Sequence, residues 1–268
     1  MSRRSVVTIM SLISSALLLA GAAKANSLGG VTVQYTGDSA HRFGTLSSNL
    51  PPGSNFSSIF YIGRSDLKVV DPAAASGLGR FVEPLFNAYC IESAVPIYDN
   101  QVVTYDIYNL AEAPSLLASG NAAQKASDLS RLFSLYEDQV NNPTGLASSY
   151  SLDDRAAAFA ANVWEIVNET TMQDGFYTYG LGSGEFRVRP SGFAGANTSW
   201  RALANTWLSG LGNGNPDSTL YALVNRDTQD FVVAINVRAV PEPLTLLGAI
   251  SGLAGVGLYI RKRAQAGL

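Results

Sequence analysis

The chain of 268 residues holds a single cysteine, Cys90, and a single histidine, His41. One thiol excludes an internal disulfide, and one residue of each kind excludes a closed zinc site of nitrogen and sulfur ligands. No twelve-residue calcium loop is present, although scattered carboxylates remain open to calcium. Charge is scarce too: 15% of residues are charged, against roughly 25% in ordinary soluble domains. Internal repeats and long linkers are also missing. What the chain does have is 47% apolar residues and 25 glycines, enough for a sizeable core in a loop-rich fold that contains β-structure.

Both ends are apolar. Arg3 and Arg4 precede an uncharged run from Ser5 to Ala23, followed by Ala23-Lys24-Ala25. A charged start, an apolar middle and a small-x-small end make residues 1–25 a secretory signal peptide, cut after Ala25 by signal peptidase. The alternative is a retained amino-terminal anchor. Between the ends, residues 26–240 carry 12 basic side chains against 20 acidic ones, a net charge of −8. Such a surface repels phosphate backbones and anionic headgroups, so nucleic acid is excluded as a partner of the body.

The other end, residues 240–268, contains Pro241-Glu242-Pro243, seventeen uncharged residues from Leu244 to Ile260, and Arg261-Lys262-Arg263. As a helix the uncharged run covers roughly 25 Å of a hydrocarbon core about 30 Å thick. The spacing therefore predicts a short transmembrane helix over 244–260. Tyr259 sits at the interface, and the basic cluster fixes the carboxyl end in the cytoplasm with the body outside. Gly248 and Gly252 form a GxxxG that permits close helix approach. The prolines hold Val240 and Glu242 extended, a form that a processing enzyme can bind.

This order, Pro-Glu-Pro, apolar helix and terminal basic cluster, resembles the PEP-CTERM sorting signal. The resemblance implies an exosortase, a membrane-embedded transpeptidase-like enzyme, as the partner that cuts near the triplet and releases or transfers the protein. It also implies a Gram-negative-type envelope, with a transient stay in the inner membrane before the cell surface or extracellular space. A permanent single-pass anchor is the alternative.

In the body, alternation and turns predict strands at Gly30–Thr36, Ser58–Gly63, Leu67–Asp71, Leu85–Glu92 and Gln101–Tyr108. Asn49–Asn55, with Pro51-Pro52-Gly53, reads as a loop. Leu129, Leu132, Phe133, Tyr136 and Val140 recur at helical spacing. A second helix starts near Ser151, its cap, and carries Phe159, Val163, Ile166 and Val167 on one face. A third runs from about Ser199 to Leu211 with Trp200, Leu203, Ala204, Trp207 and Leu208, and Gly212 lies beyond its end. Further strands are expected near Glu185–Arg189, Thr219–Asn225 and Gln229–Arg238. The expected class is α+β: residues 26–239 as one exported domain of antiparallel strands around about three helices.

Catalytic constellations are few. His41 reads as a solvated surface residue with no triad partners around it. Asp153-Asp154 at the start of the second helix, and Glu165 and Glu169 four apart further along, read as a solvated acidic face more readily than as an acid–base pair. Gly180–Gly184, GLGSG, reads as a flexible turn, since it precedes a strand and lacks the Lys-Ser or Lys-Thr of a phosphate cradle.

Two stretches stand out: Asn87-Ala88-Tyr89-Cys90-Ile91-Glu92 on a strand, and Ala156-Ala157-Ala158-Phe159-Ala160-Ala161-Asn162-Val163-Trp164-Glu165-Ile166 on a helix. Together they resemble bacterial thioester domains over roughly residues 60–238. In that family the cysteine condenses with a glutamine four residues before the helix tryptophan, ammonia leaves, and target amines attack the resulting acyl thioester. Here the corresponding residue is Ala160, four before Trp164, and Asn162 stands where the family has a small apolar residue. The resemblance therefore implies a degenerate site with Cys90 left as a free thiol. Gln101, Gln124, Gln139, Gln173 and Gln229 lack the surrounding motif.

The expectation is a non-enzymatic envelope or extracellular-matrix protein, without a cofactor, that associates with surface polysaccharide. The alternatives are a covalent adhesin whose Cys90 joins a different glutamine, and an exported hydrolase working with scattered acids.

Overall fold

The computed structural model describes residues 26–48, 56–92, 95–118, 120–170, 172–173, 176–182, 186–190 and 199–235. The expected signal peptide, the expected Asn49–Asn55 loop, the expected sorting residues Pro241, Glu242, Pro243, Arg261, Lys262 and Arg263, and the expected 244–260 helix lie outside the described residues. Among those described, no helix is long and apolar enough to cross a membrane.

The strands are β1 (Gly29–Ser48), β2 (Phe56–Val69), β3 (Ser76–Gly77), β4 (Leu85–Cys90), β5 (Val102–Asn109), β6 (Met172–Gln173), β7 (Phe176–Tyr177), β8 (Phe186–Pro190), β9 (Leu220–Val224) and β10 (Phe231–Ala234). Among the described residues four α-helices lie between β5 and β9: the short α1 (Pro114–Ala118), then α2 (Ala122–Asn141), α3 (Leu152–Asn168) and α4 (Ser199–Gly210). The α+β class holds, with one short helix more than the periodicity suggested.

Six strands close into an antiparallel barrel in the order β1-β2-β4-β10-β9-β5 and back to β1. Alternation decides which side chains enter it. On β5, Val103, Tyr105 and Ile107 are buried while Val102, Thr104 and Asp106 face solvent, as their spacing predicts. The register then carries one inward row across the ring, from Ile107 to Leu223, Phe231 and Cys90. Closure itself was not legible, because a strand's pattern shows its buried face and not its neighbours.

The first two strands are longer than expected. Ser58–Gly63 and Leu67–Val69 are parts of one strand, which stops short of the expected Asp71, and Gly30–Thr36 lies at the start of a 20-residue one. Beyond the barrel the β1–β2 hairpin continues, and β8 pairs with the free edge of β1 from Gly44 to Ser48. The register shifts between Tyr35 and Ala40, where Gly37 takes a φ of 117° that disfavours a side chain. This irregularity breaks the two-residue period and hid the continuation. Gly63 lies so close to the Ala40 carbonyl and to His41 that a Cβ there would collide with both. β10 begins at Phe231, two residues after the expected start at Gln229, following the turn at Arg226–Asp227, and residues 236–238 of the expected segment lie outside the described residues.

α3 is the central helix, packed on β1, β2, β4 and β8 with α2 and α4 beside it. Ser151 caps it by accepting from the Asp154 backbone N–H at 3.2 Å, the contact predicted from its sequence. Its alanines let neighbours approach closely, so nearly the whole helix is buried. Phe159 meets Tyr89 of β4 at 4.5 Å between ring centroids, Phe133 of α2 at 5.0 Å and Trp207 of α4 at 6.3 Å. The buried Arg155 donates to Val140 O at 2.9 Å and also to Tyr150 O, which fixes the α2–α3 connection.

Candidate functional site

Cys90 ends β4 in the inward row and is 8% exposed. Its thiol donates to Glu92 O at 2.8 Å. Burial pushes the thiol pKa far up, outweighing the Trp164 indole and the Glu92 backbone contact, which favour the thiolate. Ala160, one turn before Trp164 on α3, is buried and carries only a methyl group. The carboxamide near the sulfur comes from elsewhere. Gln229 Nε2 donates to the same Glu92 oxygen at 3.1 Å, which makes the Cys90 sulfur and the Gln229 amide neighbours. Motif spacing missed Gln229 because barrel pairing, not helix position, brings it there.

The same end of the barrel holds Tyr105, whose hydroxyl donates to Gln229 O at 3.1 Å, and Thr228, which donates to that hydroxyl at 3.3 Å. Asp230 is buried beside them and accepts from the Asn225 backbone N–H at 3.0 Å. Desolvation raises its pKa to about 6 despite that bond.

The other sequence candidates separate. Asp153 and Asp154 are held by Arg42 at 2.9 and 2.8 Å. Burial works against the Asp154 charge, but hydrogen bonds from Arg42 and Ser151 leave its pKa below the usual value. The pair fastens α3 to β1 and is not poised for proton transfer. His41 is half-buried on β1, with Nδ1 2.9 Å from Asp38 O and its ring edge-on to Tyr61 at 4.6 Å. The histidine is thus partly solvated: strand pairing places it at the surface beside the exposed rings of Tyr61 and Phe43.

Glu165 and Glu169 overturn the solvated-face reading, since both are fully buried. Glu165 accepts from the Gly180 backbone N–H at 2.7 Å, which ties down the start of GLGSG ahead of the turn at Leu181–Gly182. Desolvation raises the Glu165 pKa to about 8, with the Gly180 bond opposing and Glu169 assisting. Lys125, equally buried, donates to Val167 O at 2.7 Å and stands 5.0 Å from the Tyr177 ring centroid. Burial lowers its pKa to about 8 against the pull of Glu169.

Above this layer a half-open cleft of about 550 Å³ lies between α2, the Tyr177–Tyr179 segment and the end of α4, within the usual volume of a small-molecule site. Tyr177 and Tyr179 stack at 5.9 Å with 21° between their planes. Asp128 organises the polar wall. It accepts from Gln124 at 3.0 Å, from Arg131 at 2.7 Å and from the Tyr179 hydroxyl at 2.8 Å. Burial and the Asp128 charge both raise the Tyr179 pKa, so the phenol stays neutral. No protein-family model, curated protein or solved structure matches the chain. The sequence offered one signal for the cleft, Asp128 and Arg131 three residues apart on α2. The partner segment Tyr177-Thr178-Tyr179 lies far along the chain and carries no motif.

Among the described residues no group of three or more His, Cys, Asp or Glu side chains is placed to hold a metal ion. The chemistry available is hydrogen bonding and ring stacking in the cleft, and a thiol beside a carboxamide at the barrel end.

Proposed function

We propose that the protein is a non-enzymatic exported component of the cell envelope or extracellular matrix, sorted through its PEP-CTERM-like tail, whose body associates with surface polysaccharide. The observation that carries the binding part is the cleft: stacked tyrosines beside a charge-balanced wall of Asp128, Arg131 and Gln124 suit a ligand with apolar faces and hydroxyl edges. The order of residues 240–268 supports the sorting part. Retention on the envelope polysaccharide of the producing cells tests the binding. The protein is retained and Tyr179→Ala passes through; equal retention of the two removes the cleft from the reading.

A second reading is favoured by one contact, the shared Glu92 carbonyl that joins Cys90 and Gln229. In it the thiol adds to the Gln229 side-chain carbonyl, ammonia leaves, and the acyl thioester captures an amine on a target surface. Intact mass of the protein from its native cells separates the two. The first reading expects a chain starting at Asn26 and cut near Pro241, at full sequence mass. The second expects a further loss of about 17 Da, abolished by methylamine and by Gln229→Ala. A mass that includes residues 241–268 counts against tail processing.

A further inference from the structure

We infer that the cleft takes an uncharged pyranose unit of a polysaccharide, not an acidic or amino sugar. The inference rests on the polysaccharide reading above and narrows its ligand class. The decisive feature is how the charges of the cleft are already spent. Asp128 is 6% exposed and accepts three hydrogen bonds, from Gln124, Arg131 and Tyr179. Its oxygens are therefore turned into the protein, and no bare carboxylate is left for an ammonium group.

Arg131 is paired through Nη1 with that carboxylate at 2.7 Å, so its charge is already offset by Asp128 and a uronate would gain only a share in a neutralised cation. Lys125 offers no alternative, since it is buried and donates to Val167 O behind the Tyr177 ring. A body with net charge −8 also repels an acidic polymer at long range. Both charged classes of sugar thus meet a cost that a neutral one avoids.

What remains is suited to hydroxyl groups. The Tyr179 hydroxyl gives its proton to Asp128 and keeps its lone pairs, so it accepts from a ligand O–H. The Asn205 amide and the Thr178 hydroxyl face the cleft without a hydrogen bond among the described residues and supply donors and acceptors. The stacked tyrosine pair provides the apolar surface that the C–H face of a pyranose covers. Because the cleft is half open, it holds a unit within a chain as well as a chain end.

The test is titration calorimetry on the protein from native cells with three sets of oligosaccharides: cello- and malto-oligosaccharides, oligogalacturonate, and chitosan oligomers. The expected result is saturable binding of a neutral oligomer alone, weakened about 5- to 10-fold by Asn205→Ala, which removes one neutral hydrogen bond, and at least as much by Tyr179→Phe, which also takes from Asp128 one of its three donors. Asn205 is exposed on α4, so its replacement leaves the fold intact and keeps the result interpretable. Preference for the acidic or cationic oligomer, with the same sensitivity to the variants, overturns the neutral class while leaving the polysaccharide reading standing. Binding that ignores both variants, or no binding in any set, overturns the sugar site itself.

Discussion

Replacing Phe159 by alanine is expected to lower the unfolding free energy by about 3–5 kcal/mol. The ring is fully buried and touches aromatic rings of β4, α2 and α4 together, through Tyr89, Phe133 and Trp207. Removing it leaves a cavity that no single neighbour can fill, because each is fixed by its own element. Loss of this size consumes a large part of the stability of an ordinary domain. Urea denaturation of the wild-type and variant chains measures it. A change below about 1 kcal/mol would mean that the layer collapses onto the gap and that the helices are not locked to the barrel through this ring. Phe159→Leu retains most of the volume and is expected to cost less than half as much.

A second large effect is in pH. Glu165 is raised from 4.5 to about 8 by desolvation, with Glu169 adding to the rise. In the unfolded chain the carboxyl loses its proton near 4.5, while in the native protein it keeps it to about 8. Between those values the native state holds more protons, so stability falls as pH rises. At about 1.4 kcal/mol per pKa unit the fall is on the order of 3–5 kcal/mol. Asp230, raised to about 6 by desolvation, acts in the same direction over the lower part of the window.

Other groups do not cancel the trend. Lys125, lowered to about 8, gives stability that rises only as pH climbs from 8 toward the usual lysine value. The Asp154 contribution, with its lowered pKa, is lost only at the acidic end. Glu165→Gln keeps an acceptor for the Gly180 N–H and removes the ionisation. The variant is expected to be no more stable than wild type at pH 5 and clearly more stable at pH 8, keeping below about pH 6 the shallower decline that Asp230 contributes. Thermal melts across this range check it, and parallel slopes for the two proteins would assign the pH dependence elsewhere.

Sequence pattern was informative wherever one element faces one core. The stripes of α2, α3 and α4 and the alternation of β5 place the named side chains inside, Tyr136 alone being partly exposed. It failed where two elements share a residue's surroundings. Glu165 and Glu169 looked like a wet face because carboxylates usually are. They are buried because the alanine-rich α3 admits neighbours on nearly every side, and because the Gly180 N–H supplies a partner. Gln229 and the Tyr177–Asp128 cleft were hidden for a different reason: their contacts join positions far apart in the chain. Only the strand order and helix packing bring them together.

That strand order also sets a timetable. β9 and β10 are wedged between β5 and β4, so the ring cannot close until residue 234 is available. All four helices precede them in the chain and must wait on an unfinished barrel. Native pairing of such sequence-distant strands is slow, and until it happens β4 and β5 present bare backbone edges to any neighbouring chain. A chain interrupted between Asn109 and Leu220 is therefore more than a shortened protein: it is a sheet with two sticky sides, and the last two strands are its seal.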